Sequence, residues 1–379
     1  MSAGEMIQVS RGCLGEEEMA EVKEALDYGY FGQSYKVFEF EEALGKYLGA
    51  EYVVAVNNGT SALHLAVDAL DIGKGDEVIV PSLTFIGSFQ AISATGAAPV
   101  PVEVYPDTLL VDIDDVRRKI TGRTRAIMPV HYAGNPADMD TLMTIAEQHG
   151  LRIIEDAAHA LGSVYHGEKI GSFGDVTCFS FDSIKNITCG EGGALVCRQP
   201  ELTDIIKQKR ICGIDRKAPT SAAHGRNLSF QVRTQGYRYH MSNINAAIGL
   251  AQLKKIESFI RRRREICRRY DLAFKENPNI HCLPVNYDNV APHIYVIRVK
   301  NGRRNELMEY LKNLKIETGI NYVPNHFHPF YASESISLPE TEKAYEEILT
   351  LPLHFGMSDD DVSRVIQSVL AKESPVHNI

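Results

Sequence analysis

Short runs of aliphatic and β-branched residues alternate with helical periodicity through the first two-thirds of this chain. The runs at 52–56, 77–80, 99–104, 125–130, 151–155, 175–181 and 193–197 predict strands. Segments such as 61–70, 86–95 and 138–149 carry apolar residues at three- and four-residue spacing and predict helices between them. This alternation builds a mostly parallel sheet with helices on both faces. Strands covered on both faces read as continuous apolar runs, as these do. After Met241 the pattern becomes one long helix over 242–274, with Leu253, Ile256, Ile260, Cys267, Tyr270 and Phe274 on one stripe. Arg261, Arg262 and Arg264 fall mostly off that stripe, so the run 261–264 is expected on a solvated face. The segments 294–299, 304–314, 317–322 and 359–370 predict a smaller α+β unit. The expected fold class is α/β, with a large domain over 1–245 and a small C-terminal domain over 246–379. Residues 1–30 are candidates to pack on the small domain, and the tail 373–379 is expected to be disordered.

Composition narrows the possibilities. The chain has 379 residues, 44% hydrophobic and 23% charged, which is ordinary globular usage. A formal net charge of −9 argues against nucleic acid or an anionic membrane as the main partner. The seven cysteines show no C-x-x-C pair, which fits reduced thiols in a cytoplasmic protein. Positions 1–20 lack the apolar core of a signal peptide, and no apolar run reaches the length of a membrane span.

Candidate chemistry gathers at the ends of the predicted strands. Lys185 follows the strand 175–181 and precedes Gly190-Glu191-Gly192-Gly193. Asp156 ends the earlier strand, in Ile153-Ile154-Glu155-Asp156-Ala157-Ala158-His159. Pyridoxal phosphate chemistry needs such a pair. The lysine supplies a Schiff base, and the acid keeps the pyridine nitrogen protonated so that the ring can accept electrons. A helix N-cap is the alternative reading of Asp156, but a buried carboxylate needs a cationic partner, and a pyridinium N–H would be one. In Asn57-Asn58-Gly59-Thr60-Ser61 a strand ends and a helix begins. Gly59 permits close backbone approach, while Thr60, Ser61 and the helix start offer donors to a phosphate; plain capping is the alternative. Ser180 is a further phosphate donor. Phe85 is either core or a ring stacked on the cofactor. His159 is either near the cofactor or a satisfied polar residue. No G-x-G-x-x-G follows a strand and no G-x-x-x-x-G-K-[ST] occurs, which argues against nicotinamide and P-loop sites. His326, His328 and His354 lack a carboxylate at metal-ligand spacing, so no metal is expected.

In order along the chain, these residues resemble the DegT/DnrJ/EryC1/StrS family of sugar aminotransferases, of pyridoxal-phosphate fold type I (aspartate-aminotransferase-like). The resemblance also rests on Gly32, Phe38-Glu39, Gly75-Asp76-Glu77-Val78-Ile79-Val80-Pro81-Ser82, Pro129-Val130-His131-Tyr132-Ala133-Gly134 and Met241-Ser242-Asn243. It implies that Lys185 is the Schiff-base lysine and proton shuttle, and that Asp156 pairs with the pyridine nitrogen. It also implies that Thr60, Ser61 and Ser180 hold the phosphate, and that Phe85 stacks on the ring. His159 falls where the family often has glutamine, facing the cofactor's ring oxygen. A branch with histidine in place of the lysine dehydrates its substrate; retention of Lys185 favours transamination. Arg238 stands where the family commonly has an asparagine that crosses to a partner's phosphate site. Tyr322 and His326, in the stretch 319–326, are expected to face a nucleotide-linked sugar. Gly190-Glu191-Gly192-Gly193 resembles members acting at C4 of a 4-keto-6-deoxy sugar. The implied reaction moves an amino group from L-glutamate to a keto-sugar nucleotide, in a homodimer serving amino-sugar, lipopolysaccharide O-antigen, glycan or antibiotic-sugar biosynthesis. The alternatives are amination at C3 or another reaction, such as dehydration, on the same fold.

Overall fold

The computed structural model describes residues 5–215 and 230–373. Its central sheet contains seven strands: β1 (Tyr52–Val56), β2 (Glu77–Pro81), β3 (Ala98–Val102), β4 (Thr124–Ile127), β5 (Arg152–Asp156), β6 (Val176–Ser180) and β7 (Gly193–Cys197). Their spatial order is β1-β7-β6-β5-β4-β2-β3. Strands β2 to β6 pair in parallel, whereas β7 runs antiparallel to both neighbours, β1 and β6. The sheet is thus mostly parallel, as the pattern predicts.

Both faces are buried, which explains the continuous apolar runs. Val54 and Val56 pack with the helix Gly59–Ala69 on one face, while Val53 and Ala55 pack with the helix Tyr35–Leu48 on the other. Farther along that second face, Ile79, Ile127 and Ile153 meet the helices Ile113–Lys119 and Met139–His149.

The long helix Asn243–Phe274 is capped by Ser242, whose hydroxyl accepts from the Asn245 amide. Its first half joins the sheet core through Ala246, Leu250, Ile256 and Phe259. Its second half, from Ile266 to Phe274, joins a separate core with Ile7 and a three-stranded antiparallel sheet. That sheet comprises β8 (Ile280–Cys282), β9 (Tyr295–Val299) and β10 (Ile348–Leu351). The segment 317–322 meets this region through the isolated bridge of Gly319 to Thr350. The tail prediction falls, from residue 374 on, outside the described residues.

One expectation fails. The arginines at 261–264 do not form a purely solvated face. Arg263 is buried and donates to the carbonyls of His293 and Leu353; Arg262 reaches Met357 and Arg264 reaches Val290. A long side chain buries its stem and spends its fork on backbone carbonyls. The run therefore ties the helix to the loops around it.

Candidate active site

In an open α/β sheet, ligands bind beyond the carboxyl ends of the parallel strands. Here Val56, Pro81, Asp156 and Ser180 all end at that edge, and antiparallel β7 starts there with Gly193. A cavity of about 630 Å³ opens there, its walls including Gly59, Ser61, Phe85, Asp156, Ser180 and Lys185. Thr60, His159 and Tyr322 also line it.

The helix start that could hold an anion is shaped by close backbone packing. Gly193 sits across from both Val56 and Ser180 in the register. A Cβ on Gly193 would come within 2.5 Å of the Asn58 carbonyl oxygen. One on Gly59 would come within 2.8 Å of the Ser180 Cβ. Only glycine lets the turn lie this close to the sheet. The Asn58 side chain caps the helix by accepting from the Ser61 amide at 2.8 Å. The first N–H groups of this helix have no intrahelical acceptor, and the helix dipole favours an anion beside them. The Ser61 and Ser180 hydroxyls stand alongside.

Asp156 and Glu155 point to opposite faces because strand side chains alternate. Glu155 is fully buried below and bonds His131, Gly174 and Thr177. Asp156 faces the cavity and accepts from Ser88 Oγ at 2.7 Å and from the Ala158 amide at 3.2 Å. It is 5% exposed, and among the described residues no cation forms an ion pair with it. The Lys185 charge acts on it only from beyond ion-pair distance, and a buried carboxylate so placed could take a closer cationic partner.

Lys185 is half-buried at the cavity wall, its Nζ 3.5 Å from His293 Nε2. Burial pulls its pKa down to about 8, against the raising pull of the Asp156 and Asp182 carboxylates. At pH 7 roughly a tenth of Lys185 is then neutral, against well under a thousandth of an ordinary lysine near 10.4. The neutral amine is the nucleophile. Lys185 should therefore react with an amine-directed acylating reagent with a midpoint near pH 8. Peptide mass spectrometry across a pH series measures this, and co-titration with the surface lysines above pH 10 would contradict it.

Two histidines stay neutral beside it. Burial pushes the pKa values of His159 and His293 well down, and the Lys185 charge pushes them further. Their rings lie 4.4 Å apart.

Most of the residues predicted from sequence therefore meet in one place. Two do not reach this cavity. His326 is buried behind its wall, bonded to Ser82 Oγ at 2.7 Å and facing Glu342. Arg238 is exposed, and its backbone bridges Ile211. Three residues in or beside the site escaped the sequence reading: Ser88, His293 and Tyr132, whose ring lies 6.3 Å from that of His159. The available signals were a serine in the apolar helix 86–95, a tyrosine within the quoted 129–134 string, and a histidine in the apolar stretch 290–299.

Residues 12–370 match the model of the DegT/DnrJ/EryC1/StrS aminotransferase family. The chain belongs to this family. Among solved structures, the aminotransferase TlmJ of Streptoalloteichus hindustanus is 35% identical, with a TM-score of 0.90 over 97% of this chain and 98% of that one. The PMP-form of the putative sugar aminotransferase Spr1654 of Streptococcus pneumoniae is 31% identical at a TM-score of 0.91, over 96% and 98%. A PLP-form of that protein also matches. Helicobacter pylori PseC, an aminotransferase involved in pseudoaminic acid biosynthesis, is 28% identical at 0.90 over 97% and 99%. This aminotransferase thus has the type I fold expected from its sequence. No helix among its described residues is long and apolar enough to cross a membrane.

Proposed function

We propose that this chain is a pyridoxal-phosphate-dependent aminotransferase that moves an amino group from L-glutamate to a nucleotide-linked keto sugar. The observation that carries the reading is the union of three unlike groups in one cavity. They are an amine of lowered pKa, a buried carboxylate with no ion pair among the described residues, and a helix start closed down by glycines. The cofactor's chemistry matches each. Asp156 would hold the ring nitrogen, Gly59, Thr60, Ser61 and Ser180 the phosphate, and Phe85 the ring face. Bound there, pyridoxal phosphate would supply an aldehyde that exchanges amines and a ring that accepts electrons.

The remaining steps belong to the protein's own residues. Neutral Lys185 Nζ takes the proton from Cα of the donor amino acid. In the second half-reaction it delivers a proton to the sugar carbon that receives nitrogen. His159 and His293, both neutral, surround this amine without adding positive charge, so it gives up its proton readily.

The sugar acceptor rests on the family and on the Gly190-Glu191-Gly192-Gly193 string, which favours a 4-keto-6-deoxy sugar. We further propose a division into 1–245 and 246–379 and a cytoplasmic location, supported by seven cysteines that are all free. Incubation with L-glutamate alone should release about one 2-oxoglutarate per loaded subunit, with no sugar present. A dehydrating enzyme would release none.

We also propose a homodimer in which Arg238 serves the partner's phosphate site. Its exposure, away from its own cavity, supports this reading. Mixing Lys185→Ala with Arg238→Ala subunits should restore part of the activity, because one site of each mixed dimer keeps both residues. Mixed dimers without activity would assign Arg238 to its own subunit.

A further inference from the structure

Tyr322 and His159 form a pair whose hydrogen positions can be deduced. The Ala133 amide donates to His159 Nδ1 at 3.3 Å. An N–H can be accepted only by a ring nitrogen that carries a lone pair, so Nδ1 has no proton. Burial and the Lys185 charge disfavour the doubly protonated ring. The single proton of His159 therefore sits on Nε2, which lies 2.9 Å from the Tyr322 hydroxyl. Nε2–H donates, and the Tyr322 oxygen accepts. Burial raises the Tyr322 pKa, so the phenol keeps its own proton. The Asn321 side chain also bonds this hydroxyl and pulls its pKa down, as a donor does, while its own Oδ1 accepts from Thr350 Oγ1. The Tyr322 oxygen thus accepts from both neighbours, and its proton is left to the cavity that Tyr322 lines.

The ring is held from several sides. The Tyr132 hydroxyl donates to the Asn321 carbonyl, and Thr350 Oγ1 donates to the Asn321 side chain. Phe85 lies 5.8 Å away across the cavity. The titratable groups facing the pair are Asp156 from β5, Asp182 and Lys185 from the loop after β6, Tyr132 from the loop after β4, and His293 from the loop before β9.

We propose that Tyr322, and not His159, donates the hydrogen bond to the cofactor's ring oxygen, with His159 as a neutral donor locked behind it. The inference rests on the pyridoxal phosphate reading above. The chemistry follows from the ligand's own structure. Its ring oxygen sits beside the aldehyde carbon that Lys185 would engage, and it is a phenolate when the ring is active. Two donors in series, His159 to Tyr322 and Tyr322 to the phenolate, would strengthen each other. A phenolate held this way would draw less on a proton at the neighbouring Lys185 nitrogen, so that nitrogen would lose its proton at lower pH.

The test is a pH titration of the visible absorption band of the loaded protein. Tyr322→Phe keeps the ring and its packing but removes the proton. Its band should convert at a pH about one unit or more above wild type, the size of one lost charge-assisted hydrogen bond. His159→Phe leaves Tyr322 as donor and should shift the midpoint less. A larger shift in His159→Phe than in Tyr322→Phe, or an unmoved Tyr322→Phe midpoint, overturns the proposal while leaving the functional reading intact. A wild-type protein that takes up no pyridoxal phosphate overturns both. Thermal melts of the two variants separate misfolding from the spectroscopic effect, since a folded Tyr322→Phe protein must still show the shift.

Discussion

Lys185→Ala is expected to lower turnover by on the order of 10⁴-fold or more, because in the proposed mechanism one side chain would serve as both nucleophile and proton carrier. The amine is placed for both roles. It reaches the cavity wall, its pKa is drawn down to about 8 by burial, and neutral histidines pack around it. Alanine also frees the Asp156 side of the cavity from a nearby positive charge. The folded state should survive, since Lys185 is half-buried and its Nζ bonds, among the described residues, to His293 alone at 3.5 Å. Steady-state assay with glutamate and a keto-sugar nucleotide measures the loss. The visible band of lysine-attached cofactor should vanish as well, so two independent readouts bear on one residue. An alanine variant that turns over at wild-type rate would remove Lys185 from the mechanism.

Asp156→Asn should cost about 10²–10³-fold in turnover, the usual effect of deleting one preorganised electrostatic partner. The carboxamide keeps the shape and can still accept from Ser88 Oγ, now 2.7 Å from the carboxylate. What it lacks is the charge that, in the proposed function, would keep a ring nitrogen protonated. The same substitution has an opposite expected effect on the cofactor-free protein. Asp156 is buried with no ion-pairing cation among the described residues, so neutralising it removes a desolvation cost. The cofactor-free variant should melt no lower than the cofactor-free wild type, and the gain in stability from adding pyridoxal phosphate should shrink. Calorimetry with and without the cofactor measures both. Unchanged turnover, or a variant destabilised only when empty, would argue that Asp156 is structural.

Much of this site was legible because it is built from chain ends of regular elements. Asp156, Ser180 and the turn at 57–61 each follow an apolar run, and parallel strands bring their carboxyl ends to one edge. Gly59 and Gly193 could be read as close-approach positions, and the register of β1, β7 and β6 supplies the reason for each. Other members carry no such local mark. His293 reaches Lys185 across 108 positions of sequence, and Tyr322 reaches His159 across 163. The family resemblance puts His326 beside the substrate. Folding instead spends His326 on Ser82 and Glu342, behind the cavity wall.

The sequence by itself determined the alternation of strands and helices, the two-sided burial of the sheet, and the edge where a lysine, an acid and a glycine-lined helix start meet. Periodicity and turn chemistry are local, so a linear reading reaches them. Only the tertiary structure decided which polar groups face one another across that edge. The protonation of His159, the free proton of Tyr322 and the lowered pKa of Lys185 depend on burial and on partners far away in the chain. Desolvation and hydrogen-bond pairing are properties of a packed volume, and no window of sequence contains that volume.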